Sequence, residues 1–355
     1  MIDCTRYENC PKSASIQTSV PNDHLKFIFL GCWGVYCKGG ENPLMKIKIN
    51  KETNTIKTKI VTVEYGEEQV SNLMAEYSNQ VGGVNAVILA GDNVYTDYPT
   101  EEQTIELQMS IEKANEIKNG LFNMPKQIEY GFETCFLNKI KTNDYLMGIG
   151  NHDIENCDVL NTQINYKGWT MPGLYYNYIY NTNTMSVNLV FIDTNIYDDV
   201  YCTGNFPENA RREQNYWLQN VLESNQDKWN IVIGHIPFMC NSHKENILTR
   251  IEPKLEEDIR SVAHLIDVYM CADEHNQQYI TIPGMPPQII SGSGGAVLDL
   301  NIQNSPELQK PNITQLARAT FGFVGVDIYL ERIDIKFYSI MGDQPAFFTI
   351  IKKRD

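Results

Sequence analysis

Six short apolar runs in this chain end alike, in a turn that carries Gly, Asp, Asn or His. Residues 25–30 lead into Gly31, 84–90 into Gly91-Asp92-Asn93, and 145–149 into Gly150-Asn151-His152-Asp153. Residues 187–192 lead to Asp193, 230–233 to Gly234-His235, and 268–271 to Ala272-Asp273-Glu274-His275. Each run has the length of a buried strand, and segments of helical periodicity separate them, which is the pattern of a layered α/β domain. Pro253 suits the first turn of a helix in which Leu255, Ile259, Val262, Ala263 and Ile266 recur at helical spacing. Pro207-Glu208 precedes a second stripe, Trp217, Leu218, Val221 and Leu222, whose simplest role is core. Beyond Gln278 the chain is mostly strand, with runs at 279–282, 288–290, 323–330, 333–340 and 347–351. The expectation is two sheets packed face to face with helices outside, rather than two separable domains.

In open α/β sheets, ligands bind at the carboxyl edge of the strands. A lone Gly-Asp or Gly-His after a strand is most often a turn. Several in one chain bring oxygen ligands and imidazoles to one edge, a set that suits iron, zinc, manganese or magnesium.

The net charge of −15 over 355 residues works against binding nucleic acid or an anionic membrane surface, so neither is expected as a partner. No apolar run approaches the ~20 residues of a membrane helix. The first residues, Met1-Ile2-Asp3-Cys4-Thr5-Arg6-Tyr7, do not form the apolar core of a signal peptide, so an intracellular location is expected. Such a location predicts that most of the nine cysteines are thiols. Local pairing of Cys4 with Cys10, or of Cys32 with Cys37, is left open by the sequence.

Gly91-Asp92-Asn93-Val94-Tyr95, Gly150-Asn151-His152-Asp153, Gly234-His235 and Glu274-His275-Asn276, in this order, resemble the motifs of calcineurin-like metallophosphoesterases. The tyrosine three residues after Asp92 makes the chain most similar to the purple acid phosphatases. Gly31-Cys32-Trp33-Gly34 and Cys271-Ala272-Asp273-Glu274-His275-Asn276 resemble two further motifs of the small tartrate-resistant members. Phe191-Ile192-Asp193-Thr194 and Ser291-Gly292-Ser293-Gly294 are weaker echoes. The resemblance implies a four-layer α/β/β/α sandwich of two mixed sheets flanked by helices. It covers residues 25–355, with 1–24 as an amino-terminal extension and a hairpin inserted at about 44–65.

The resemblance also implies a two-metal centre that clamps a phosphate ester and generates its nucleophile. Asp92 would bridge the ions, Tyr95 and His275 would ligate the first, and Asn151 and His235 the second. His152 would protonate the leaving alkoxide, with Asp153 orienting its ring. Two ligand positions depart from the family pattern: Cys32 stands where the family has Asp, and Asp273 where it has His. A thiolate matches ferric iron poorly, which puts a dinuclear iron centre in doubt. Asp92, Asn151, His235 and Asp273 would still hold one divalent ion: Zn, Mn, Mg or Fe. Two functions follow: an acid-phosphatase-like enzyme acting on phosphate monoesters through an altered centre, or a catalytically inactive pseudophosphatase used as a scaffold or self-assembling structural protein.

The inserted segment supplies its own signal. Ile47 and Ile49 alternate with Lys46 and Lys48, and after the turn-like Lys51-Glu52-Thr53-Asn54, Ile56 and Ile60 alternate with Lys57 and Lys59. This period of two predicts two antiparallel strands. The simpler role for their isoleucine face is to cover an edge of the parent domain. The five lysines on an acidic chain also suit self-association.

Overall fold

A computed structural model describes residues 3–34, 48–50, 55–57, 66–95, 128–197, 201–202, 204–241, 249–296, 298–299 and 313–352. In chain order its strands begin with β1 (Ser15–Ser19), β2 (Leu25–Leu30), β3 (Lys48–Asn50), β4 (Thr55–Lys57), β5 (Val84–Ala90) and β6 (Thr142–Gly148). Next come β7 (Tyr176–Asn181), β8 (Ser186–Phe191), β9 (Trp229–Ile233), β10 (Met239–Asn241), β11 (Thr249–Ile251) and β12 (Val268–Cys271). The last are β13 (Gln277–Ile280), β14 (Gln288–Ser291), β15 (Thr314–Arg318), β16 (Gly322–Ile328), β17 (Arg332–Ser339) and β18 (Ala346–Ile351). Helices at Gly66–Gln80, Ile128–Leu137, Cys157–Asn165, Ala210–Glu223 and Pro253–Ser261 lie between them.

Two mixed sheets carry the fold. One has the order β1-β7-β8-β9-β12-β14-β13-β15, and the other β18-β17-β16-β2-β5-β6. Their centres are parallel: β2 with β5 and β5 with β6 in the second sheet, β8 with β9, β9 with β12 and β12 with β14 in the first. Register places Phe27 beside Ala86 and Ile88 beside Leu146, so the turns after these strands come out side by side.

Strand periodicity sorts the side chains into layers. Phe27, Phe29, Ala86 and Ile88 join Leu189, Phe191, Ile231, Ile233, Met270 and Ile289 in one buried cluster between the sheets. Their neighbours Ile28, Leu30, Val87 and Leu89 belong instead to a cluster with Val70, Met74 and Tyr77 of the helix Gly66–Gln80. That cluster also holds Val190, Val232 and Tyr269 from the other sheet, with Leu218, Leu222, Leu255 and Ile259 from the helices Ala210–Glu223 and Pro253–Ser261. The result is the expected four-layer α/β/β/α sandwich. Pro253 occupies the helix's first turn, and Leu255 and Ile259, one turn apart, make its buried face.

The amino-terminal residues join this body. β1 runs parallel to β7 at the sheet edge, and the Tyr201 hydroxyl donates to the carbonyl of Cys4. In the inserted segment β3 and β4 pair antiparallel, with Ile49 opposite Ile56. Ile47, Ile60, Lys46, Lys51 and Lys59 lie outside the described residues, as does Cys37.

The expected excess of thiols is overturned. Cys4 is bonded to Cys10 and Cys157 to Cys202, and Cys135 is also in a disulfide. Cys32, Cys240 and Cys271 are buried and in no disulfide, so Cys32 is not paired with Cys37. The polar start of the chain carried no information about the redox state of the folded domain, whereas folding brings Cys157 and Cys202 together from 45 residues apart.

Candidate metal centre

Parallel strands can bring side chains to one point only if the chain turns sharply where each strand ends. Three non-glycine residues take up the left-handed conformation there: Cys32 and Asp92 at φ 54° and Asp273 at φ 60°. A residue held in this region costs on the order of 1–3 kcal/mol, and such strain gathers at functional sites. Hydrogen bonds hold the turns, with Cys32 N donating to Gly91 O and Ala272 N to His235 O. Gly150 answers a space requirement, because a Cβ there would lie 2.3 Å from Asp92 Oδ1.

Asp92 is at the middle of the site and buried. Its Oδ2 accepts the Tyr95 hydroxyl at 2.9 Å, and that hydroxyl lies 3.2 Å from His275 Nε2. Ligand atoms of Cys32, Asp92 and His275 all fall within 4.8 Å of one another. The other oxygen, Oδ1, lies 3.2 Å from His235 Nε2 and accepts the backbone N–H of His152 at 3.2 Å. One carboxylate thus reaches two groups, Cys32–Tyr95–His275 on one side and His235–Asn151–Asp273 on the other.

The second group tests whether a cation fits. His235 Nδ1 is 2.7 Å from the carbonyl of Ala90, so it carries a proton and donates it. That leaves Nε2 facing Asp92 Oδ1, Asn151 Oδ1 at 3.1 Å and Asp273 Oδ1 at 3.7 Å. Three oxygens thus face this one nitrogen, which a proton or a metal ion on Nε2 would join to them. Burial opposes a charged His235, but the carboxylates of Asp92 and Asp273 prevail and push its pKa up to about 9. Burial likewise opposes charge on Asp92, yet His235 above all holds it well below the usual carboxylate range. A divalent cation on Nε2 would take the place of that proton, with the imidazole tautomer already fixed by Ala90 as in metal-ligating histidines. On the other side, burial and then Asp92 push the Tyr95 phenol up, so its proton stays on the hydrogen bond to Asp92.

The hydrogen bonds of Asp153 differ from those expected of it. Asp153 does not orient the His152 ring. It is fully buried and accepts from the backbone N–H of Asn93, Val94 and Gly150 at 2.9, 3.1 and 2.7 Å, and from the amides of Asn93 and Gln163. It therefore ties the Asp92 turn to the Asn151 turn. Burial, then the charge of Asp92, push its pKa up to about 7 against these five donors. His152 stands over the Tyr95 ring, centroids 4.5 Å apart, with its side chain 21% exposed. Its Nδ1 lies 2.9 Å from Glu155 Oε1, an ion-pair distance, although the approach is not aligned for a hydrogen bond.

Sequence reasoning missed the residues that support the ligands. Glu155 follows His152 by three positions, a spacing that carries the signal only once a helical turn, here His152–Ile154, is known. Thr194 accepts the N–H groups of His235 and Ile236 through Oγ1, and Asp193 in the same turn holds Asn195, whose amide reaches the carbonyl of Gly150. In the sequence the Asp193-Thr194 motif is only a weak echo, yet its contacts join turns far apart in the chain.

With the geometry in hand, the family follows. Residues 25–277 match the model of the calcineurin-like phosphoesterases, and the chain belongs to that family. Within it, the chain is distantly similar to tartrate-resistant acid phosphatase type 5 of Rattus norvegicus, 25% identical over 234 residues. That match takes in 61% of this chain and 62% of the phosphatase, so it spans less than two thirds of the relative. Among solved structures, GAP50, the anchor in the inner membrane complex of Plasmodium, superimposes with a TM-score of 0.64 at 17% identity. That superposition covers 94% of this chain and 90% of GAP50. PhoD gives a TM-score of 0.50 at 13% identity, covering 93% of this chain and 69% of PhoD. These two likenesses bear on the fold alone.

Proposed function

We propose that the chain is an acid-phosphatase-like metallophosphoesterase that hydrolyses phosphate monoesters at an altered metal centre. The observation that carries this reading is that carboxylate or amide oxygens of Asp92, Asn151 and Asp273 stand 3.2, 3.1 and 3.7 Å from His235 Nε2, while the same Asp92 carboxylate lies within 4.8 Å of ligand atoms of Cys32 and His275. A divalent ion (Zn, Mn, Mg or Fe) held by these residues would polarise a phosphoryl oxygen and supply an ionised water. His152, partly exposed at the rim, would donate the proton that the leaving alkoxide needs, and Glu155 would hold its ring. Asp153 contributes by fixing the turns that carry Asp92 and Asn151. A phosphate ester or phosphate ion is the expected small-molecule partner, and the net charge of −15 disfavours nucleic acid. No helix among the described residues is long and apolar enough to cross a membrane. The test is turnover of a generic phosphate monoester by metal-loaded protein. His152→Ala should lower kcat roughly 10²–10⁴-fold at unchanged metal content.

A second reading is favoured by the two replaced ligands, Cys32 and Asp273. Here the fold is an inactive scaffold, and the hairpin at about 44–65 mediates self-association through Lys46, Lys48, Lys51, Lys57 and Lys59. No turnover under any metal, with a mass in light scattering that falls when these lysines become glutamate, would establish it. The intracellular address stands as a proposal that the disulfides oppose, since such bonds persist mainly in oxidising compartments.

A further inference from the structure

The Cys32 side of the centre is assembled rather than erased. Cys32 is fully buried, outside any disulfide, and sits in a left-handed turn at φ 54°. Backbone bonds fix that turn at both ends, Cys32 N to Gly91 O and Ala296 N to Cys32 O, each at 3.0 Å. Gly292 packs against the same spot: a Cβ there would lie 2.1 Å from the Glu274 carbonyl oxygen and 3.2 Å from Cys32 Sγ. The thiol therefore shares its space with Asp92 and His275, three ligand atoms of mixed hardness within 4.8 Å of one another.

We infer that Cys32, Asp92 and His275 form a zinc site that binds through the Cys32 thiolate, distinct in metal preference from the oxygen-rich His235 side. Sulfur, carboxylate and imidazole are the three donor types that zinc accepts, and three protein ligands leave its fourth position open. Magnesium and manganese prefer oxygen and gain little from sulfur. Binding releases the thiol proton to solvent and involves no change of oxidation state. The inference goes beyond the proposed function, which needs only the ion on the Asp92–Asn151–His235–Asp273 side. It rests on that reading in so far as Asp92 serves both sides.

X-ray absorption at the zinc edge, on full-length protein loaded with zinc, tests it without any assay of activity. Wild type should show a sulfur neighbour at about 2.3 Å, the length of a zinc–thiolate bond. Cys32→Asp should remove that neighbour while keeping a nitrogen and oxygen shell, and Cys271→Ser should leave it in place. Cys32→Asp should also lower the zinc bound at limiting concentration and raise the manganese bound. A wild-type shell of nitrogen and oxygen alone overturns the inference and leaves the oxygen-rich site standing. Sulfur that persists in Cys32→Asp overturns it as well. Protein that binds no zinc at all contradicts both this inference and the metal reading beneath it.

Discussion

Asp153→Ala should destabilise the fold far more than it alters the His152 ring. The carboxylate accepts three buried backbone N–H groups, those of Asn93, Val94 and Gly150, and two side-chain amides. Alanine leaves all three backbone donors without their acceptor. An orphaned buried donor costs about 1–3 kcal/mol, so even at the low end the loss is about 3 kcal/mol. That is a large fraction of the roughly 5–15 kcal/mol that holds a typical native protein. Asp153→Asn keeps one acceptor oxygen and should fall between alanine and wild type. His152→Ala and Glu155→Gln remove partly exposed groups and should stay within about 0.5 kcal/mol of wild type. Urea unfolding of the metal-free proteins, under non-reducing conditions and at a common slope, separates these outcomes. If Asp153→Ala unfolds within about 0.5 kcal/mol of wild type, the residue is not the tie between the two turns.

Two further predictions concern a buried carboxylate and the cysteines. Glu67 is fully buried, and neither carboxylate oxygen has a hydrogen-bond partner among the described residues, so burial raises its pKa well above the ordinary 4.5. A raised folded-state pKa means that the stability it permits is complete below about pH 4.5 and declines above it, because only the unfolded chain ionises freely. Glu67→Gln should therefore stabilise the protein at neutral pH and flatten the pH dependence above that point. Lower stability of Glu67→Gln at pH 7 would mean that the carboxylate is ionised and paired. For the cysteines, alkylation of unreduced, denatured protein followed by mass spectrometry should label Cys32, Cys240 and Cys271 and leave Cys4, Cys10, Cys135, Cys157 and Cys202 unlabelled. Label on Cys157 or Cys202 would restore the thiol expectation.

The central strands were legible because their residues are buried on both faces and read as continuous apolar runs. β2, β5 and β12 match the expected bounds residue for residue. β7 was not legible: its sequence, Tyr-Asn-Tyr-Ile-Tyr-Asn, buries tyrosines between the sheets and pairs Asn177 with Asn188, so it lacks an apolar signature. β1, Ser-Ile-Gln-Thr-Ser, is an edge strand whose pattern shows only half-buried and exposed positions. At the site, the ligand types and their order could be read, and the structure brings Cys32, Asp92, Tyr95, Asn151, His235, Asp273 and His275 to one edge. What could not be read was which neighbour serves which ligand. Asp153 beside His152 suggested a pair, but the chain path turns its carboxylate inward to the backbone, and Glu155 takes the place at Nδ1. Such assignments depend on where a side chain points after a turn, which no spacing rule fixes.

The claim on which the rest depends is that the Asp92 carboxylate serves a metal ion together with His235. Crystals grown with zinc and measured at the zinc absorption edge test it directly. The account predicts an anomalous peak about 2.0–2.2 Å from both His235 Nε2 and an Asp92 carboxylate oxygen. Fully occupied protein crystals with no anomalous density between these two side chains would contradict it.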